Sequence, residues 1–124
     1  MLVEEKTTEL VIGAAIKVHR ALGPGLLESV YETCLAHEIV QSGLSLQRQV
    51  QVPIIYDEHR IDAGFRIDVL VAGEVIVELK AVERILPIHE AQLMTYLRLA
   101  RKKVGLLINF NVIKLTDGIM RRVL

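Results

Sequence analysis

Residues 65–81, FRIDVLVAGEVIVELKA, decide the fold. Two apolar runs rich in β-formers flank a short Ala-Gly-Glu segment, the pattern of a buried hairpin. A two-residue loop at Ala72-Gly73 would pair Val71 with Glu74 and put the apolar faces out of step. A three-residue loop, Ala72-Gly73-Glu74, pairs Val71 with Val75, Val69 with Val77 and Ile67 with Leu79, an unbroken apolar ladder. The same register sets Asp68 against Glu78 and Arg66 against Lys80 on the other face. Two carboxylates directly opposed repel, and charge in a buried strand needs something to offset its desolvation. A divalent cation between them would do so.

Downstream of the hairpin, Pro87 opens a helix expected over 88–101, with Leu93, Met94 and Leu97 facing inward. Gln92 and Tyr96 lie one turn apart on one face of it. Its basic end (Arg98, Arg101, Lys102, Lys103) suits the negative pole of the helix dipole. Residues 104–110 read as another buried strand, with a turn at Asp117-Gly118 and a short strand closing the chain.

Upstream, the period is two over 44–56, where Gln47, Gln49 and Gln51 alternate with apolar residues and arginine. Asp57-Glu58 is a turn, 60–63 a returning strand, and Gly64 a bulge or a close backbone approach. Two helices come first. One spans 7–22, with a stripe of Leu10, Val11, Ala14, Ala15, Val18 and Leu22 and an N-cap at Thr7 or Thr8. The other spans 26–41, with an apolar face of Leu27, Val30, Leu35 and Ile39. Gly23-Pro24-Gly25 separates them. The order is α-α-β-β-β-β-α-β with a tail, a mixed β-sheet flanked by helices of the α/β (α+β) class.

A chain of 124 residues, 52% hydrophobic and 24% charged, is expected to form a single packed domain over 1–124. One cysteine, Cys34, excludes an intramolecular disulfide and any multi-cysteine zinc site. The four histidines are scattered without metal-ligand spacing. Lys plus Arg equal Asp plus Glu at 15 each, which weighs against strong nonspecific binding to nucleic acid. The first ten residues are acidic where a signal peptide is basic, and no apolar run reaches membrane-spanning length. A cytoplasmic protein without membrane attachment is expected.

Glu78 and Lys80, two apart on a strand, leave the same face, and Asp68 joins them across the hairpin. Hard cations such as magnesium take oxygen ligands, often one or two carboxylates with water and a substrate phosphate. An ammonium beside them can orient water. This is the minimum equipment for metal-dependent phosphodiester hydrolysis. An isolated Glu-x-Lys is commonly a surface ion pair, but here it sits inside VIVELKAV and faces FRIDVLV. Glu28 by itself is most simply a first-turn residue favoured by the helix dipole.

Asp68, Glu78 and Lys80, in the spacing D-x9-E-x-K, resemble the signature of the PD-(D/E)XK nuclease superfamily. GLLESVY at 25–31 is similar to the motif naming the GxxExxY family, as are IVELKAVERILPIHEAQLMTYL and GLLINFN. The resemblance covers residues 10–121. It implies a restriction-endonuclease-like fold and a nuclease that hydrolyses DNA with Mg2+ or Mn2+. It implies metal-binding roles for Asp68, Glu78 and Glu28, and a catalytic role for Lys80 in positioning water. Gln92 and Tyr96 match the Q-x3-Y element of RecB-type nucleases, which lines the same site. Ile67 stands where the name-giving proline would be. The competing expectation is a catalytically inactive binding or assembly module of the same fold. On either account so small a domain needs a homodimer or a larger protein partner to grip a duplex with specificity.

Overall fold

The computed structural model describes residues 3–124; Met1 and Leu2, which open the acidic N-terminal stretch, lie outside them. The elements are α1 (Val3–Leu22), α2 (Glu28–Gln41), β1 (Leu46–Tyr56), β2 (His59–Val71), β3 (Val75–Lys80), α3 (Pro87–Ala100), β4 (Val104–Asn109), a 3-10 turn (Leu115–Gly118) and β5 (Ile119–Val123). The sheet runs β1-β2-β3-β4-β5. Its pairs are antiparallel except β3–β4, which is parallel and joined through α3. Val11, Ala15 and Val18 of α1 and Tyr31, Leu35 and Ile39 of α2 pack on one face, over Val69, Val71, Val75, Val77, Leu79, Leu106 and Ile108. Leu93 and Leu97 of α3 cover the other, over Ile67, Leu70, Ile76 and Leu107. The fold class is the expected one, a mixed sheet flanked by helices. No helix among the described residues is long and apolar enough to cross a membrane.

Several boundaries differ from the sequence expectations. Thr7 and Thr8 do not cap α1; both are buried within it, and Thr8 Oγ1 donates back to the Glu5 carbonyl at 2.8 Å. The helix reaches back through Glu4 and Glu5, acids that the positive pole of its dipole favours. Leu27 and Val30 do not belong to the buried face of α2, which is Tyr31, Glu32, Leu35, Ala36 and Ile39. Leu27 is the extended residue before the helix, φ −72° and ψ 148°, so its side chain falls off the helical stripe and is 73% exposed.

The two strands expected either side of Gly64 are one, β2, so three strands rather than four precede α3. Gly64 is a close approach: a Cβ there would overlap the Ile54 side chain. The irregularity lies across the ladder, between Val52 and Ile54, where Pro53 has no N–H to give.

The central hairpin has the three-residue loop, with Val71↔Val75 and Val69↔Val77 paired and left-handed Ala72 and Gly73 turning the chain. The third expected pair, Ile67 with Leu79, does not form; the ladder ends at Val69↔Val77. The cause is a change of face. Val69 and Val71 pack under α1 and α2, whereas Phe65 and Ile67 pack under α3. β1 changes in step, from Leu46 on the first side to Val50 and Val52 on the second. At the changeover the register passes from Arg48↔Val69 to Val50↔Ile67 without a Gln49↔Asp68 pair. Gln49 there takes a left-handed φ of 52°, a conformation that costs an L-residue about 1–2 kcal/mol.

Candidate active site

Asp68 and Glu78 meet where the β2–β3 ladder stops. Glu78 Oε2 accepts the Asp68 backbone N–H at 2.8 Å, and Asp68 Oδ2 accepts the Leu79 backbone N–H at 3.0 Å. The two carboxylates therefore stand in for the missing backbone acceptors, which satisfies buried N–H groups and fixes both side chains. Glu78 is 5% exposed and Asp68 half-buried. Burial, followed by the Asp68 charge, pushes the Glu78 carboxyl up to about 8. Burial also raises Asp68; the Leu79 N–H opposes this in part, and the charges of Glu32 and Glu28 add to it. No hydrogen bond among the described residues uses Oδ1 of Asp68 or Oε1 of Glu78, so each acid keeps one oxygen for a ligand.

Lys80 leaves β3 on the Glu78 side, half-buried, and none of the ion pairs among the described residues involves it. Its charge lowers both carboxyls, against their desolvation. Tyr96 faces them from α3: burial, then the Glu78 and Asp68 charges, raises its phenol. Phe65 of β2 stacks on the Tyr96 ring at 4.4 Å between centroids and anchors it. The family model of the PD-(D/E)XK nuclease superfamily matches residues 5–123. The chain belongs to that superfamily. No match is found among curated proteins or among solved structures.

Asp68, Glu78 and Lys80 are thus gathered at one strand end, with Tyr96 beside them. Gln92, one turn before Tyr96, is half-buried on α3 and makes no hydrogen bond among those of the described residues. Glu28 is exposed in the first turn of α2, and its charge reaches both Asp68 and Glu78. The turn that delivers it is locked by Tyr31, whose hydroxyl donates to the Gly23 carbonyl at 2.6 Å and accepts the Leu26 N–H at 3.1 Å. Gly23 and Gly25 are both left-handed in that turn, at φ 72° and 95°. Tyr31 is fully buried, stacked on Phe110 at 4.6 Å, so it is a core residue that positions the turn. His89 caps α3, accepting the Leu86 N–H at 3.0 Å through Nδ1.

Two supports were not identified as site residues from the sequence. Asn109, beside Lys80 in the β3–β4 register, clasps the loop after β3: its Oδ1 accepts the Val82 N–H at 3.1 Å and its Nδ2 donates to the Val82 carbonyl at 2.9 Å. Glu32 is buried on α2, one turn after Glu28, and bears on Asp68 more strongly than Glu28 does. Its four-residue spacing from Glu28, which puts both acids on one helix face, was the available signal. A cavity of about 420 Å3 between α1 and α2, bordered by Val18, Leu22, Cys34 and His37, touches none of the site residues.

Among the described residues no three His, Cys, Asp or Glu side chains form a group able to hold a metal ion. The donor set is two desolvated carboxylates, each with an uncommitted oxygen. That fits a magnesium-like cation, which keeps several waters and completes its shell from substrate phosphate rather than from an all-protein cage.

Proposed function

We propose that this domain is a magnesium- or manganese-dependent nuclease of the cytoplasm that hydrolyses DNA phosphodiester bonds. The observation that carries the reading is the Asp68–Glu78 pair: two carboxyl groups fixed at one strand end by backbone N–H groups, with Lys80 beside them and in no ion pair among the described residues. Such a pair is costly to ionise unless a cation joins it. Asp68 and Glu78 would hold the ion, with Glu28 as a further acid brought up by the locked turn. When bound, the ion supplies electrostatic stabilisation of the charge on the phosphoryl oxygens.

The protein's own groups do the rest. The Lys80 ammonium donates to the attacking water and holds it in line with the phosphorus. The Tyr96 hydroxyl and the Gln92 amide present donors from the α3 side to phosphate or water. Gly25, Glu28 and Tyr31 support placement in the GxxExxY branch of the superfamily. The neutral surface leaves duplex grip to a second copy or a larger partner. A second reading, a nuclease fold used as a binding module, draws on the lack of a three-acid metal group among the described residues.

Calorimetric titration of manganese into the wild-type protein and Asp68→Ala, paired with cleavage of single- and double-stranded DNA by wild type and Lys80→Ala, separates the two. Manganese bound by the wild type alone, with cleavage lost in Lys80→Ala, supports the nuclease. No metal bound and no nucleic acid cut would leave the binding module.

A further inference from the structure

Arg48 and Gln49 are neighbours on β1, yet both reach the same carboxylate. Gln49 Nε2 donates to Glu32 Oε1 at 2.6 Å, and Arg48 Nε donates to Glu32 Oε2 at 3.0 Å, with Nη2 in ion-pair contact with the same oxygen at 2.9 Å. Arg48 Nη2 also donates to Thr33 Oγ1 at 3.0 Å, which fixes the guanidinium on α2. Successive side chains of a strand leave opposite faces, so a regular β1 could offer only one of the two to α2. The left-handed backbone at Gln49 brings the second one over. That conformation is sparsely populated by residues with a Cβ, and such strain gathers at functional sites. It falls at the Gln49/Asp68 gap in the ladder, next to the acid that would take the metal.

We infer that Glu32 is a positioning residue for the cation site: the Arg48–Gln49 clamp holds its carboxylate beside Asp68, where it sets how strongly the site attracts a divalent ion. An Arg48–Glu32 ion pair serving stability alone would need no strained glutamine. Glu32 itself is 7% exposed and both its oxygens are taken by Arg48 and Gln49, so it acts on the ion through space and through Asp68 rather than as a ligand. Groups one shell out from a metal commonly change affinity 10–100-fold when removed. The inference rests on the nuclease reading of the same site.

Gln49→Gly is the decisive variant, because glycine accepts φ 52° without strain while removing the clamp's amide. Manganese affinity and thermal midpoint are measured for the wild type, Gln49→Gly, Glu32→Gln and Asp68→Ala. The expected result is a midpoint for Gln49→Gly close to wild type, the relieved strain offsetting the lost hydrogen bond to Glu32, with manganese affinity lower by roughly 10-fold, and a larger loss in Glu32→Gln. Affinity unchanged in Gln49→Gly, with binding still abolished by Asp68→Ala, overturns the positioning role and leaves the nuclease reading intact. Failure of the wild type to bind manganese overturns both. Should Glu32→Gln not fold, the Gln49→Gly comparison decides alone.

Discussion

Asp68 and Glu78 are each held by the other's strand, not by each other. Glu78 Oε2 receives the N–H of Asp68 on β2, and Asp68 Oδ2 receives the N–H of Leu79 on β3. Two acids that would repel in a regular ladder are kept close because each replaces a lost backbone acceptor. The bonds that satisfy the backbone also organise the site, so folding and charge are coupled at this point.

The coupling has a definite sign. Glu78 holds its proton up to about 8 when folded, against an ordinary value of 4.5, so the folded state binds more protons across that interval. Stability therefore falls as pH rises from about 4.5 to about 8 and levels off above. Glu78→Gln keeps an acceptor for the Asp68 N–H but removes the charge. It is expected to flatten this slope and to stabilise the protein at pH 8 by a few kcal/mol, each pKa unit being worth about 1.4 kcal/mol. Urea unfolding of both proteins at pH 5 and pH 8 checks this; a Glu78→Gln protein as pH-sensitive as the wild type would contradict it.

Metal binding should report the same proton. A cation needs the ionised carboxylates, so binding below pH 8 must displace a proton from the pair. Magnesium affinity is expected to climb by up to about tenfold per pH unit toward pH 8 and then to plateau. Calorimetry in buffers of different ionisation enthalpy would count the protons released, about one per ion at pH 7.

Tyr31 carries a prediction of a different kind. Tyr31→Phe retains the stacking on Phe110 but loses the bonds to Gly23 and Leu26. The expected cost is about 1–2 kcal/mol. Amide exchange at Leu26 should accelerate by more than global unfolding explains, because the turn ahead of Glu28 is freed. Uniform acceleration across α1 and α2 would assign Tyr31 to general core packing instead.

The legible part of the site was the part whose chemistry violates its surroundings. Asp68, Glu78 and Lys80 interrupt apolar strands, and no packing account excuses them. The hairpin loop was legible too, since only one loop length aligns Val69 and Val71 with Val77 and Val75. The failed Ile67–Leu79 pair and the clamp at Gln49 share one cause: a period-two reading assumes that a strand keeps its faces, and β1 and β2 exchange theirs at Gln49 and Asp68. Nothing local to a glutamine announces a left-handed φ. Glu32 shares the helix face of Leu35, Ala36 and Ile39, but what makes an acid tolerable there, Arg48 and Gln49, lies 16 and 17 residues on, on another element, where helix spacing gives no hint of it.

Lys80 offers the sharpest separation of binding from chemistry. Its charge helps to ionise Asp68 and Glu78, yet it also repels a cation between them. Below pH 8 these effects oppose one another in Lys80→Ala: the carboxyls hold their protons harder, but the repulsion is gone. At pH 9 the wild-type Glu78 carboxyl is largely ionised, so the help Lys80 gives to ionisation shrinks and its repulsion of the cation weighs most there. Lys80→Ala is therefore expected to bind magnesium at pH 9 at least as tightly as the wild type. Its cleavage rate on DNA at saturating magnesium should nonetheless fall by about 10²–10³-fold, the range for losing one positioned hydrogen-bond donor in an active site. Tighter binding with slower cleavage would place Lys80 at the attacking water. Binding and cleavage lost in parallel would instead make it a support of the Asp68–Glu78 pair.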